Sequence, residues 1–163
     1  MIPALALEPR GDATKLRLFA AAIDNIIATI LFIVAQKSMP GDSTARRWLA
    51  ASLVYLAYYF IQEGKWGATL GKRIFGLQVI RLDGRPAGWM ESGARTLSRI
   101  FEANPFLLGL LPGALAVIWS KHRQRLGDML AETIVVRRAV AAAMQRAHAG
   151  KLQRAASLRS NER

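Results

Sequence analysis

The sequence predicts an all-α membrane protein. We expect a small bundle of two full transmembrane helices plus a helical hairpin, three to four membrane segments in all, with a short cytoplasmic two-stranded β element. Three observations predict it. Apolar residues make up 52% of the 163 residues, although Lys and Arg outnumber Asp and Glu by 23 to 11. The first apolar run is long enough to cross a bilayer and contains Arg17 and Asp24. The basic residues flank the apolar runs, as in membrane proteins whose charge lies in the loops.

The first span is predicted within residues 16–36, after a flexible N-terminal tail at residues 1–15. At 1.5 Å per residue this run covers a hydrocarbon core of about 30 Å. Its length, its internal aspartate and its acidic flank argue against a cleaved signal peptide. Arg17 and Asp24 lie seven residues apart and therefore share a helix face. That face must look inward, because a charge in lipid costs about 2.5 kcal/mol or more.

Two further membrane elements follow. Residues 48–62 form a second, shorter apolar run, and the aromatic residues near its end are typical of a headgroup boundary. Residues 89–119 predict a helical hairpin bent at Asn104-Pro105, and its first arm is amphipathic. We expect that arm to be half buried in the membrane.

Two short stretches have the composition of strands, residues 78–82 and residues 133–136. An isolated strand edge is not tolerated in hydrocarbon and is poorly stable in water, so we expect them to pair. Both then lie on one side of the membrane, and basic residues before and after the hairpin make that side cytoplasmic, with both termini. Residues 139–163 predict a basic cytoplasmic C-terminal tail, helical in part and disordered from Ser157.

Several function classes are disfavoured by composition and spacing. The chain has no cysteine, its two histidines lie far apart, and no serine has a histidine base at a recognisable spacing. We therefore predict a non-enzymatic protein with no cofactor and no metal site. A net charge of +12 is also found in nucleic-acid-binding proteins, but no motif of that class is present, so we expect no nucleic acid. Anionic lipid headgroups are the expected partner of the basic residues.

Four basic residues are predicted to contact lipid phosphate or a partner: Lys72, Arg73, Arg123 and Arg125. The glycines before Lys72, at positions 64, 67 and 71, indicate close backbone packing. That packing is either internal or a surface for self-association, and the sequence leaves both open.

Three motifs in order carry a family resemblance. They are the arginine of Arg17-Leu18-Phe19-Ala20 with Asp24, the run at residues 68–79, and the run at residues 123–133 with Asp128. Together they resemble the RDD family, small bacterial membrane proteins named for one arginine and two aspartates. The resemblance covers a membrane domain at residues 16–138, implies a multi-pass protein of the bacterial cytoplasmic (inner) membrane, and makes Arg17, Asp24 and Asp128 the family's ionic cluster. Gly127 departs from the pattern, since a histidine often precedes the final aspartate.

Two roles for this cluster follow. In the structural interpretation, Arg17 pairs with Asp24 or with Asp128 and ties the first span to the loop after the hairpin. In the functional one, an inward-facing aspartate binds Na⁺ or exchanges a proton, and family members have been linked to sodium/proton exchange. We predict a contribution to ion or small-solute transport, as a homo-oligomer or with a membrane partner. The alternative is a non-transporting adaptor or scaffold that binds a partner or anionic lipid through its basic cytoplasmic face.

Overall fold

The computed structural model describes residues 12–40, 43–102 and 124–161. The elements in chain order are α1 (Asp12–Ser38), α2 (Thr44–Trp66), α3 (Leu70–Ile74), β1 (Leu77–Arg81), α4 (Trp89–Glu102), α5 (Leu126–Leu130), β2 (Thr133–Arg137) and α6 (Arg138–Asn161). The prediction of a mainly helical chain with a two-stranded β element is confirmed. The second arm of the predicted hairpin lies outside the described residues.

Helix α1 is the candidate membrane span. Within the described residues, Thr14–Ser38 is the one helix long and apolar enough to cross a bilayer, with a mean hydropathy of 2.3 over its most apolar window. The helix begins at Asp12, inside the segment predicted as a tail, because no glycine or proline interrupts the chain between there and Ser38. Helix α1 therefore begins earlier than the first span that the sequence predicts.

Helix α2 returns along α1 after a short connection. The Ser43 hydroxyl accepts a hydrogen bond from the backbone N–H of Arg46 at its N-terminus. At its C-terminus, Gly67 adopts φ +63° and donates its N–H to the carbonyl of Glu63. Glycine takes this left-handed conformation at little cost, and it ends the helix. Near the connection, the rings of Phe32 and Trp48 meet edge to face at 5.4 Å.

The two strands pair antiparallel, with Leu77 opposite Arg137 and Arg81 opposite Thr133. Successive residues of a strand point to opposite faces, so each face of this small sheet packs on a different helix. One face joins Ala20 of α1 in an apolar cluster completed by Leu77, Val79, Ala87 and Val135. The other face joins α6 in a cluster of Ile80, Ile134, Val136, Ala141 and Met144. The sheet thus lies between the start of α1 and the start of α6.

Helix α4 packs on α2 through small residues and through side-chain hydrogen bonds. The Ser92 hydroxyl donates to the carbonyl of Phe60 at 2.8 Å. A Cβ on Gly64 would overlap the ring of Trp89, and one on Gly71 would overlap the carbonyl of Ala20. At these two positions, the structure assigns the glycines to internal packing rather than to a self-association surface.

Helix α6 leaves the body of the protein in its second half. Side chains of residues 151–160 are all exposed. The helix continues to Asn161, and the Ser157 hydroxyl donates to the carbonyl of Arg154. The prediction of a disordered segment from Ser157 is therefore wrong for the residues described, because the Ala-rich sequence sustains the helix.

Candidate functional site

Arg17 and Asp128 join α1 to α5 at the centre of a buried charge cluster. Arg17 Nη2 donates to Asp128 Oδ2 at 3.1 Å, and the backbone N–H of Arg125 donates to the same oxygen at 3.2 Å. Asp128 is 2% exposed. The sequence left both Asp24 and Asp128 open as partners of Arg17, and in the structure Asp128 is the carboxylate that binds it.

Arg95 of α4 connects this pair to α2. Its Nε donates to Glu63 Oε2 at 2.7 Å, and its Nη1 donates to Asp128 Oδ1 and to Thr133 Oγ1. The residue is 5% exposed. One guanidinium therefore links two buried carboxylates that come from elements far apart in sequence. A buried ion pair stabilises a fold when its geometry satisfies both ions.

Glu63 receives three cations. Lys72 Nζ donates to its Oε1, Arg95 binds its Oε2, and Arg99 Nη2 lies 3.4 Å from its Oε1. The guanidinium of Arg99 also lies over the ring of Tyr59, 3.7 Å from the ring centroid. This stacking holds Arg99 beside the cluster through a cation–π contact in addition to its long ion pair.

Asp24 is held by uncharged donors. Tyr58 donates its hydroxyl to Oδ1 at 2.9 Å, Thr69 donates its hydroxyl to Oδ2, and the backbone N–H of Gly71 donates to Oδ1 at 2.8 Å. Asp24 is 1% exposed. A Cβ at Gly71 would overlap this carboxylate, so only glycine permits the approach of α3.

The electrostatics of the site follow from burial and from neighbouring charges. Burial lowers the pKa of Lys72 to about 8, and the attraction of Glu63 offsets this effect only in part. Burial raises the pKa of Asp128, but the Coulombic attraction of Arg95 and then of Arg17 outweighs it, so the net pKa lies below the ordinary value. Asp128 is therefore ionised at neutral pH.

A small cavity lies among these groups, with about 20 Å³ available to the centre of a water molecule. That is room for about one water. Its lining includes both aspartates of the cluster and five basic side chains, namely Arg17, Asp24, Lys72, Arg95, Arg99, Arg125 and Asp128, together with Ala21, Asn25, Tyr59, Leu77 and Val135. Tyr59 and Tyr55 both donate their hydroxyls to Asn25 Oδ1 at one wall. A single site therefore combines ionic groups, neutral donors and space.

The four residues predicted to contact lipid phosphate have different surroundings. Lys72 is mostly buried, with its Nζ on Glu63 Oε1, because α3 folds back onto the end of α2. Arg73 is exposed, with its guanidinium 5.5 Å from the ring centroid of Trp66. Arg125 is half-buried and lines the cavity beside Asp128. Arg123 lies outside the described residues.

The sequence did not identify Glu63, Arg95 and Arg99 as members of the site. The available signal was the polar stripe of α4, where Arg95 and Arg99 lie four residues apart on one face. In an apolar chain such a stripe is the face that turns inward. No local pattern could connect it to Glu63, since the two meet only when α4 packs on α2.

Close packing explains the glycine at position 127. A Cβ there would overlap the hydroxyl of Ser98 and crowd the backbone of Arg95. A histidine in this place would require α4 to move away, so the departure from the family pattern belongs with the close packing of α5 on α4.

Within the part of the chain that the structure describes, no group of three or more His, Asp or Glu side chains is placed to hold a metal ion. The donor set of the cavity is mixed and mainly cationic, which disfavours metal cations electrostatically.

The chain is similar to known proteins of one family. The model of the RDD family matches residues 13–132. A protein of Bacillus subtilis (strain 168) described as "Uncharacterized protein YckC" is 28% identical over 127 residues, which cover 74% of this chain and 80% of the relative. No solved structure gives a significant match.

Proposed function

This chain belongs to the RDD family, and we propose that it is a multi-pass protein of the bacterial cytoplasmic membrane that contributes to the transport of a small ion or solute at its buried charge cluster. Membership rests on the match over residues 13–132. The membrane assignment is supported by the apolar helix α1. The transport role is the step that we add.

Helix α4 supports an embedded position for more of the chain than α1. Its exposed residues are apolar and its buried residues are polar, the reverse of a helix in a water-soluble protein. The exposed set is Trp89, Met90, Leu97 and Ile100, and the buried set is Ser92, Arg95, Thr96 and Ser98. Such a helix is stable when its outer face meets acyl chains. We infer that α4 is the half-buried first arm of a hairpin.

The strand pair sets the orientation that we propose. Because β1 and β2 are hydrogen-bonded neighbours, both lie on one side of the membrane. The positive-inside rule makes this side cytoplasmic, since basic residues precede α4 and follow the hairpin. Both termini are then cytoplasmic, with the sheet close to the headgroups.

The observation that carries the transport proposal is the cavity beside Asp24. Asp24 lies eight positions after Leu16, where the first apolar run begins, and this separation is about 12 Å along the helix axis. Ionisable side chains at such depth mark ion or solute pathways by default, since they are costly to keep there. Here they also border space for about one water.

The geometry favours a solute other than Na⁺ at this cluster. Asp24 already accepts three hydrogen bonds, and five basic side chains line the same cavity. A cation would have to displace these donors from Asp24 and would meet basic side chains on the cavity wall. Sodium/proton exchange is accordingly the form of transport that the described residues favour least.

Four short membrane segments can hardly enclose an aqueous path by themselves, because a pathway needs polar lining shielded from lipid. We therefore propose that the protein works as an oligomer or with a membrane partner. Exposed apolar side chains on α1 and α2 offer surface for such contacts.

Purified protein in vesicles, with internal dyes for pH and for ions, tests the transport role. We expect dissipation of an imposed ion gradient in wild-type vesicles and none with Asp24→Asn. Asparagine keeps the shape of Asp24, and the Tyr58 and Thr69 hydroxyls can rotate to suit an amide, so this variant is expected to fold. Wild-type vesicles as tight as protein-free vesicles would refute the proposal.

An adaptor role is the second candidate, favoured by the free half of α6. Residues 151–160 are exposed, carry Lys151, Arg154 and Arg159, and contain no acidic residue. This half is suited to anionic lipid or to an acidic partner surface. Loss of partner recovery after removal of residues 151–163, with no flux in wild-type vesicles, would favour this role.

A further inference from the structure

We propose that the short helices α3 and α5 are equivalent parts of a repeated unit, and that their outer faces bind lipid acyl chains at one surface of the bilayer. The proposal rests on the membrane family to which the chain belongs. It concerns how the chain is seated in lipid, so it goes beyond the proposed function and holds whether or not the protein transports a solute.

Residues 70–81 and residues 126–137 have the same local structure. Each stretch begins with Leu-Gly, forms a five-residue helix, turns over two residues and continues as a five-residue strand that ends in arginine. The residue before each strand has left-handed backbone, Gly76 at φ +63° and Glu132 at φ +49°. Because this conformation is unfavourable for a residue with a Cβ, its use by Glu132 indicates that the repeated turn requires it.

The backbone hydrogen bonds at the two ends of the strand pair are also equivalent. The N–H of Leu82 donates to the carbonyl of Glu132 at 2.9 Å. At the corresponding positions of the other unit, the N–H of Arg138 donates to the carbonyl of Gly76 at 2.7 Å. Conformation and hydrogen bonding therefore agree that the two stretches are copies of one unit.

A two-fold axis relates the two units. Val79 and Val135 occupy the same position in their strands and lie directly opposite each other in the antiparallel pair. The axis of such a pair passes between the two valines, perpendicular to the sheet. One face of the sheet packs on Ala20 of α1 and the other on Met144 of α6, so the axis runs from the helix bundle toward α6. Rotation about this axis keeps α3 and α5 at the same height.

Both short helices meet α1 near the start of its apolar run. Gly71 of α3 packs on the carbonyl of Ala20, and Asp128 of α5 binds Arg17, one turn earlier. The run begins at Leu16, so these contacts lie within about 6 Å of its start along the helix axis. The start of a membrane span is where the headgroup layer meets the acyl chains.

The outer faces carry apolar side chains at the same two helix positions. Leu70 and Ile74 of α3, and Leu126 and Leu130 of α5, are between 43% and 67% exposed. Each pair is four residues apart, so it forms one stripe on its helix. Matched apolar stripes at the height of the acyl chains are stable when lipid covers them and unfavourable when water does.

Basic and aromatic groups border α3 and favour lipid over a second copy of the chain. Trp66, at the end of α2, is 46% exposed. Lys65 Nζ lies 5.2 Å and the guanidinium of Arg73 lies 5.5 Å from its ring centroid. An exposed tryptophan with two cations is typical of the headgroup boundary, where the cations meet lipid phosphates.

The experiment uses the full chain in nanodiscs of phosphatidylethanolamine and phosphatidylglycerol. Because the chain has no cysteine, single cysteines can carry a spin label. Ile74→Cys and Leu130→Cys report on the outer faces. Ile30→Cys, exposed on α1, is the lipid reference, and Asp83→Cys, exposed after β1, is the water reference.

Collisions of each label with O₂, which concentrates among acyl chains, are compared with collisions with a water-soluble nickel chelate. We expect O₂ collisions to exceed chelate collisions at Ile74 and Leu130, as at Ile30, and the reverse at Asp83. The two outer-face labels should also lie at depths within about 5 Å of each other, one helical turn.

Chelate collisions as frequent at Ile74 or Leu130 as at Asp83 would overturn the proposal, because water would then cover that face. Few collisions with both reagents would overturn it too, because protein would cover the face. Depths that differ by more than one turn would refute the equivalence of the units. If a variant does not fold, Leu70→Cys and Leu126→Cys repeat the test at the other equivalent pair. Absence of flux in vesicles would refute the transport role alone, whereas water-exposed labels in a protein with flux would refute this inference alone.

Discussion

Replacing Arg95 by methionine tests the charge cluster most severely. The substitution keeps an unbranched side chain and removes the guanidinium that links Glu63 with Asp128. Breaking a buried ion pair by removing one partner costs about 3–5 kcal/mol, because a charge stays buried without full compensation. We expect the lower part of this range, since Lys72 still contacts Glu63 and Arg17 still contacts Asp128.

The assay is the thermal unfolding midpoint in detergent, followed by circular dichroism. For a chain of this length 1 kcal/mol corresponds to about 2–4 °C, so a loss of about 3–4 kcal/mol should make Arg95→Met unfold roughly 6–16 °C earlier than wild type. Adding Glu63→Gln to Arg95→Met should restore part of the loss, because it removes one of the two carboxylates left behind.

Arg85→Met is the matched control. Arg85 forms an exposed ion pair with Asp83 at 2.7 Å, and exposed pairs contribute about 0–1 kcal/mol. A loss in Arg95→Met no larger than in Arg85→Met would show that the cluster is not the ionic centre described here. Full additivity of the Arg95 and Glu63 substitutions would also refute the reasoning.

Three further predictions concern packing, pH and topology. Gly127→Ala should cost about 1–3 kcal/mol by overpacking against Ser98, and adding Ser98→Gly should recover much of it; equal stability of Gly127→Ala and wild type in the same melts would contradict the close contact. The pKa of Asp128 is lower in the folded chain, so the unfolded chain binds a proton first as the pH falls toward about 3.8. The contribution of Asp128 to stability is therefore present above that pH and is lost as the pH falls through the folded pKa. A melting midpoint that falls as steeply with acid pH in Asp128→Asn as in wild type would refute this. Asp83→Cys and Ser157→Cys, in a chain without native cysteine, should both be protected from an impermeant thiol reagent added outside intact cells, and labelling of either would reverse the proposed orientation.

Sequence reasoning worked best where one local pattern determines one element. The strand-like composition of residues 78–82 and of residues 133–136 predicted two strands, and the membrane argument predicted that they pair. The apolar run of α1 was recognised from length and composition. The glycines were recognised as sites of close packing, and the choice between internal and external contact needed coordinates.

The charge cluster could be predicted only in part. Arg17, Asp24 and Asp128 stood out as ionic residues, because charge is rare in or beside apolar runs. Apart from one another, their partners come from α2, α3 and α4, and partner choice depends on helix packing that no spacing encodes. Glu63 is the clearest case, since it lies at the end of an apolar run, where a carboxylate is equally suited to a headgroup boundary.

Lys72 illustrates a contact that the local sequence does not reveal. A lysine beside an arginine after an apolar run is typical of lipid-phosphate contact. The short helix α3 folds back so that Gly71 reaches Asp24 and Lys72 reaches Glu63, while Arg73 stays outside. The neighbouring glycine without a Cβ is what permits this approach, and the residue type of Lys72 itself gives no sign of it.

The measurement that tests the central claim most directly is the rate of dye-reported ion flux per folded molecule in vesicles, with wild type, Arg99→Gln and Arg73→Gln compared at a temperature at which all three are folded. We expect flux in wild type and Arg73→Gln and its loss in Arg99→Gln, because Arg99 is among the residues that line the cavity and Arg73 is not. Equal flux in all three proteins, or none in any, would contradict it.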